Sequence, residues 1–258
     1  MQLSEFAEPL AYDTAFWLTG FEEPTGFEVG ELGRVSVELC GKLRALAIIA
    51  LLVKGDSDKF LHNLIRSGQV RETFLSRLKE AGHQHEHHLA SGRFEGLLDA
   101  IAAGDFELAQ RIAWLSPRSF EPTREYEDDF CHAQILHRIV HGVQAASVYE
   151  PFFDRFEAAL QGQPGPRLAV LRALVARSQA DFDAAFEALL QERRATLQAD
   201  AARAQLEEPQ MLAERDVFIE GLALLRLADS AGLATTREYL YCPSAARQPM
   251  RRPLPPAP

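Results

Sequence analysis

Apolar residues recur at intervals of three and four along almost the whole chain, which is the spacing of one face of an α-helix. Leu32, Val35, Leu39, Leu43, Leu46, Ile49 and Val53 form one such stripe. From Ala45 onward the opposite face is apolar too, so the second half of this helix is expected to be central and buried all round. Gly55-Asp56 ends it, and Ser57 is placed to cap the next helix, which carries Phe60, Leu61, Leu64 and Ile65. A further helix is expected after Gly68, with Val70, Phe74, Leu75 and Leu78 on one side and Gly82 as its stop.

The stretch "RFEGLLDAIAAGDFELAQRIAWLS" reads as a helical pair, broken at Gly104 and restarted by an Asp105 cap. Further helices are predicted over about Glu125–Val143, Pro151–Leu160, Arg167–Ala176, Asp181–Leu206 and Ala213–Ala231. "VFIEGLALLRLA", Val217 to Ala228, is apolar on nearly all sides and predicts a second central helix; Glu220 and Arg226 within it are edge residues or members of a buried pair. Strand signals are scarce. The fold class is therefore all-α, a multi-helix bundle of antiparallel helical hairpins.

A solenoid-like stacking is the variant to weigh, because "GDFELAQRIA" is echoed by "ADFDAAFEAL" 76 positions later. No fixed short period recurs between the two, which favours two ordinary helix starts over a repeat. Residues 1–245 are expected to form a single domain. Residues 1–30, with their aromatics and turns, are read as an irregular or short helical cap, and 246–258 as a Pro-rich extended tail.

Charge narrows the function classes. The net charge is −10, whereas nucleic-acid binders usually present a basic surface. No direct nucleic-acid partner is expected; an acidic surface suits a basic partner and speeds encounter with it. Cys40, Cys131 and Cys242 lie far apart with no C-x-x-C pair, which fits a reducing compartment. The N-terminus carries acids where a signal peptide needs Lys or Arg, and the most apolar run, Ala45–Val53, is about half the length needed to span a bilayer. No membrane partner and a cytoplasmic location are expected.

Two segments are rich in metal-capable side chains. "HQHEHH", His83 to His88, contains H-x-H-x-x-H, which resembles the H-x-H-x-D-H run of the metallo-β-lactamase fold. That site needs a strand running into a loop and an Asp at the fifth position. Here the preceding residues have helical period and the fifth residue is His87. A solvated connector is the favoured reading, with adventitious metal binding left open.

"REYEDDFCHAQILHRIVHG", Arg124 to Gly142, offers four acids and three histidines. At about 100° per residue, His132 shares one side with Glu125 and Asp128, while His137 and His141 project from nearly the opposite side. One ion cannot be held by both groups. Glu125, Glu127, Asp128 and Asp129 then have three readings: first-turn acids that complement the helix dipole, partners of buried Arg on neighbouring helices, or an acidic face for a basic ligand. No G-x-S-x-G elbow, Gly-rich phosphate loop or H-E-x-x-H occurs. No catalytic residue, metal site or cofactor is therefore assigned.

Two blocks carry a family resemblance: "AAGDFELAQRIAWLSP…EYEDDFCHAQILHRIVHG", and "ERDVFIEGLALLRLADSAGLATTREYLYCPSAARQP" near the C-terminus. With "RSQADFDAAFEALLQERR" between them, they resemble the immunity protein 49 family of bacterial polymorphic-toxin systems, over about Phe94 to Pro249. The resemblance implies an all-α cytoplasmic protein that protects a bacterium from a cognate toxin, often a nuclease, delivered by itself or its siblings by routes such as type VI secretion. The expected partner is that toxin, with a basic surface, and Glu125, Glu127, Asp128 and Asp129 are the expected toxin contacts. A helical-repeat adaptor for another protein and, less favoured, a metal-dependent hydrolase using the histidines stand as alternatives.

Overall fold

A computed structural model describes residues 3–23, 26–83, 87–202 and 209–255. Among these, eleven α-helices and no strand are present. They are α1 Leu3–Glu22, α2 Val29–Lys54, α3 Ser57–Glu80, α4 Glu95–Ala103, α5 Phe106–Leu115, α6 Glu127–Val140, α7 Glu150–Leu160, α8 Pro166–Ala176, α9 Gln179–Ala202, α10 Pro209–Glu214 and α11 Ile219–Ser230. The all-α bundle expected from the period of the sequence is what the chain forms.

Hairpins build the bundle. Gly55 closes α2 in the left-handed conformation (φ 62°), and its N–H and that of Asp56 bond back to the carbonyls of Leu51 and Ala50. Asp56, not Ser57, caps α3: its carboxylate accepts from the Lys59 N–H at 2.9 Å. The α4–α5 hairpin follows the expected logic, with Gly104 at φ 80° and Asp105 accepting from Leu108 N–H at 3.0 Å. α8 and α9 pack as a third hairpin.

The core runs through the middle of α2, α3, α4 and α11, where Ile48, Phe60, Leu64, Phe74, Ile101 and Leu224 are fully buried. α11 returns to pack along α4, more than a hundred residues earlier. In a solenoid each unit touches only its neighbours, so the solenoid-like variant is set aside. The sequence echo has a local cause. Asp105 is a true cap, whereas Asp181 sits inside the first turn of α9 and accepts from the Ser178 hydroxyl at 2.6 Å.

Three readings of element boundaries differ from the structure, and a fourth is described only in part. Of the stretch 1–30, read as an irregular or short helical cap, Leu3–Glu22 form α1, a regular twenty-residue helix whose Leu10, Thr14, Leu18 and Phe21 are buried. Gly68 does not divide α3; it lets α3 approach α4. The stretch 213–231 is two helices, parted where the Phe218 N–H turns aside to the Tyr241 carbonyl at 2.8 Å. The expected helix over Asp181–Leu206 is described only as far as Ala202; residues 203–206 lie outside the described residues.

The tail is also docked, as far as it is described. The Arg251 N–H donates to Asp58 at 2.7 Å, the Arg252 guanidinium reaches Asp58 and Asp56 at 2.8 and 2.5 Å, and Leu254 packs against the core.

The α3–α4 crossing explains two glycines inside helices. A Cβ on Gly96 would lie 2.5 Å from the Cβ of Arg71, and one on Gly68 would lie 2.8 Å from Cδ2 of Leu108. Gly96→Ala is therefore expected to destabilise by about 1–3 kcal/mol, the usual cost of overpacking, despite Ala's better helix propensity. Gly30→Ala in α2, where nothing lies within 4 Å, is expected to be neutral or stabilising by up to about 1 kcal/mol. Urea unfolding of the two variants checks the opposite signs; equal effects would remove the crossing from the account.

Candidate protein-binding face

The four acids do converge, around the entry to α6, and three of them are held by the protein itself. Glu125 precedes the helix. Its carboxylate accepts from the Gly92 N–H at 2.6 Å and the Ser91 hydroxyl at 3.2 Å, tying the 90–93 turn to the start of α6. Burial raises its pKa above the ordinary carboxylate value, against those hydrogen bonds. Glu127 opens the helix and accepts from Arg155 Nε and Nη2 at 2.9 and 2.7 Å; Arg155 lies over the rings of Phe130 and Phe120. Asp129 faces Arg167 at 3.4 Å, and burial pushes its pKa up to about 6. Asp128 is half-buried beside them.

Arg167 is the hinge of a wider network. Its Nε lies 2.7 Å from Glu220 on α11, so α6, α8 and α11 meet through one guanidinium. Glu220 is thus a buried, paired group in the apolar helix. Arg226 bonds instead to the carbonyls of Ala102 and Gln248 at 3.3 Å, towards the edge. The sequence flagged Glu220 by its apolar surroundings, but nothing in the local pattern singles out Arg155 or Arg167, since Arg is common on helix surfaces.

The histidines of α6 divide as helical geometry requires. His132 is fully buried, stacked on Phe94 (centroids 5.0 Å apart) and near Phe156, with Nδ1 3.8 Å from Glu220. Burial and then the Arg167 charge hold its pKa well below the ordinary value. His137 is buried elsewhere and lowered to about 3, while His141 is exposed. In the His83–His88 run, residues 84–86 lie outside the described residues, His83 and His87 are exposed, and His88 is half-buried. Among the described residues no three His, Cys, Asp or Glu side chains gather as a metal site would need.

All three cysteines are buried thiols; burial pushes Cys40 and Cys242 up to about 12 and Cys131 up to about 11, which suits small core residues and not nucleophiles. No helix among the described residues is long and apolar enough to cross a membrane.

Two clefts flank Arg124 and Glu125. One, of about 390 Å³, is lined by His87, Arg93, Tyr126 and Asp129 among others; the other, of about 380 Å³, by Lys79, Leu89, Leu115 and Glu121. Tyr126 stands 79% exposed at the rim. This edge is of mixed charge, because Arg93 and Arg124 share it with the acids. It can do what preorganised rim charges do, which is to orient a charged partner.

No curated protein and no solved structure is found to match the chain. A family model described as Immunity protein 49 matches residues 55–246, from the start of the α2–α3 turn to beyond α11. On that match, spanning most of its length, the chain belongs to the immunity protein 49 family.

Proposed function

We propose that this protein neutralises a cognate antibacterial toxin in the cytoplasm by holding it in a stoichiometric complex, without a catalytic centre of its own. The observation that carries the reading is family membership over residues 55–246, since an immunity protein implies a toxin to bind. The net charge of −10 supports a partner with a basic surface, and a nuclease-type effector is the class that fits, because such an enzyme must be cationic where it holds phosphate. An acidic inhibitor gains fast association from that field. Glu125, Glu127, Asp128 and Asp129 are the proposed toxin contacts, with Arg155 and Arg167 holding two of them in place.

The test begins with co-expression beside the toxin gene, where rescue of growth is expected together with a one-to-one complex on purification. Replacing the four acids by Ala is then expected to weaken toxin affinity about tenfold or more at low salt and to flatten its salt dependence. Because Glu125, Glu127 and Asp129 also brace the fold, Asp128→Asn serves as the variant that spares those pairs. Affinity and salt dependence unchanged in both variants would remove the α6 acids from the interface; rescue without any complex would sink the binding reading.

A further inference from the structure

The N-terminal helix carries a surface that the fold does not use. Glu5, Glu8, Tyr12, Phe16, Thr19 and Glu23 follow one another at intervals of three and four, so they line one face of α1 and its continuation. All six are exposed, Tyr12 at 79% and Phe16 at 69%, while the opposite face buries Leu10, Thr14, Leu18 and Phe21 against the bundle. Phe16 is further supported edge-on by Trp17, which stacks flat on Phe27 at 5.6 Å. The result is an aromatic pair held on a rigid helix, between carboxylates at both ends.

Charge says what such a face can meet. The first 33 residues hold seven Asp and Glu and no Lys or Arg, so most of the chain's excess negative charge is concentrated in its first eighth. Three cations near this region already have partners within the fold. Lys42 lies beneath α1 with its ammonium on Asp13 and Glu38, Arg34 pairs with Glu38, and Arg77 donates to the Glu22 carbonyl and covers Phe21. A second copy of this chain is a poor occupant. Acids flank the aromatics on both sides, so parallel and antiparallel pairing alike would set carboxylate against carboxylate. A partner with an apolar recess rimmed by Lys or Arg is matched in both respects, since exposed aromatics supply contact area and rim charges supply encounter rate and register.

We infer that the outer face of α1, Tyr12 and Phe16 between Glu8 and Glu23, is a docking surface for the cognate toxin, received in a basic-rimmed apolar recess; this rests on the immunity reading above. The face lies outside residues 55–246, which the family model matches.

The experiment compares the wild-type chain with Tyr12→Ser/Phe16→Ser and with Glu8→Lys/Glu23→Lys, using the toxin captured by co-expression and titration calorimetry at two salt concentrations. The aromatic variant is expected to bind at least about tenfold more weakly at either salt. The charge-reversed variant is expected to weaken binding mainly at low salt. All four side chains are exposed, so thermal midpoints should match the wild type. Undiminished affinity in the aromatic variant would overturn the proposal while leaving the immunity reading standing. A wild-type chain that binds no toxin would fail that reading and this one with it. A wild-type dimer that becomes monomeric in Tyr12→Ser/Phe16→Ser would assign the face to self-association and overturn the proposal too.

Discussion

Replacing Arg44 by Ala is expected to cost about 3–5 kcal/mol of stability, the range seen when one partner of a buried ion pair is removed. That is a large share of the 5–15 kcal/mol typical of a folded domain. Arg44 is nearly buried in the centre of α2. Its Nε donates to Asp99 Oδ1 at 2.8 Å, its Nη2 to the Glu95 carbonyl at 3.0 Å, and its Nη1 lies 3.4 Å from Glu214. Asp99 has no exposure and also accepts from the Ser67 hydroxyl. One guanidinium thus joins α2, α4 and α10, and Asp99 carries the link on to α3 through Ser67. Burial pushes the Asp99 carboxyl up to about 6, and Arg44 is the chief influence opposing it. Without Arg44 the carboxylate would keep one hydroxyl donor in an apolar interior, and it would take up a proton at neutral pH. The same principle makes a second forecast. Arg44→Met combined with Asp99→Val and Ser67→Ala removes the charges together and is expected to recover most of the loss. Urea midpoints at constant m-value would show this. An Arg44→Ala variant within about 1 kcal/mol of wild type would mean the network contributes little.

These networks also mark where the sequence stops being legible. The stripe from Leu32 to Val53 predicts α2 because helix burial is periodic and local, and Gly55, Gly82 and Gly104 announce helix ends because the positive φ there suits a residue without a side chain. The existence of almost every helix followed from such signals. Pairings across 55 residues, such as Arg44 with Asp99, or across 53, such as Arg167 with Glu220, leave no local signature. The four acids at the entry to α6 were readable as a group at a helix start. That Glu127 and Asp129 would find Arg155 and Arg167 depended on how α7 and α8 pack, which no local pattern states. α1 reads only as an irregular or short helical cap because its aromatics and the turns that follow it look irregular, and Pro9, the seventh residue of the helix, forgoes the N–H bond to the carbonyl four residues back. The prolines of the tail argue for an extended chain, but where it docks was not legible: Arg251 and Arg252 find Asp56 and Asp58 at the α2–α3 turn.

Acidification is expected to unfold this protein along a path set by two histidines against two aspartates. His132 and His137 are buried and held neutral, His132 well below the ordinary imidazole value and His137 at about 3; burial is the largest cause for both. In the unfolded chain both bind protons near pH 6.5. The unfolded state therefore holds more protons below that pH, and stability must fall as pH falls. Each histidine contributes a slope of about 1.4 kcal/mol per pH unit once its unfolded form is protonated, so the pair gives on the order of 3 kcal/mol per unit. Asp99 and Asp129 act in the opposite sense. Burial raises both to about 6, so between about pH 6 and 4 the folded state takes up protons that the unfolded carboxylates do not yet bind. The steepest initial loss is expected just below pH 6.5, followed by a shallower region to about pH 4, and then by renewed loss as the unfolded aspartates also bind protons and no longer offset the histidines, a loss that ends for His137 as pH falls through about 3. Urea midpoints at half-unit steps from pH 7.5 to 3.5 give the curve. His137→Leu is expected to flatten it below pH 6.5, and Asp129→Asn to steepen it between pH 6 and 4. A wild-type stability that stayed level from pH 7 to 4, or a His137→Leu variant as acid-sensitive as the parent, would show that the folded protein protonates these imidazoles without penalty.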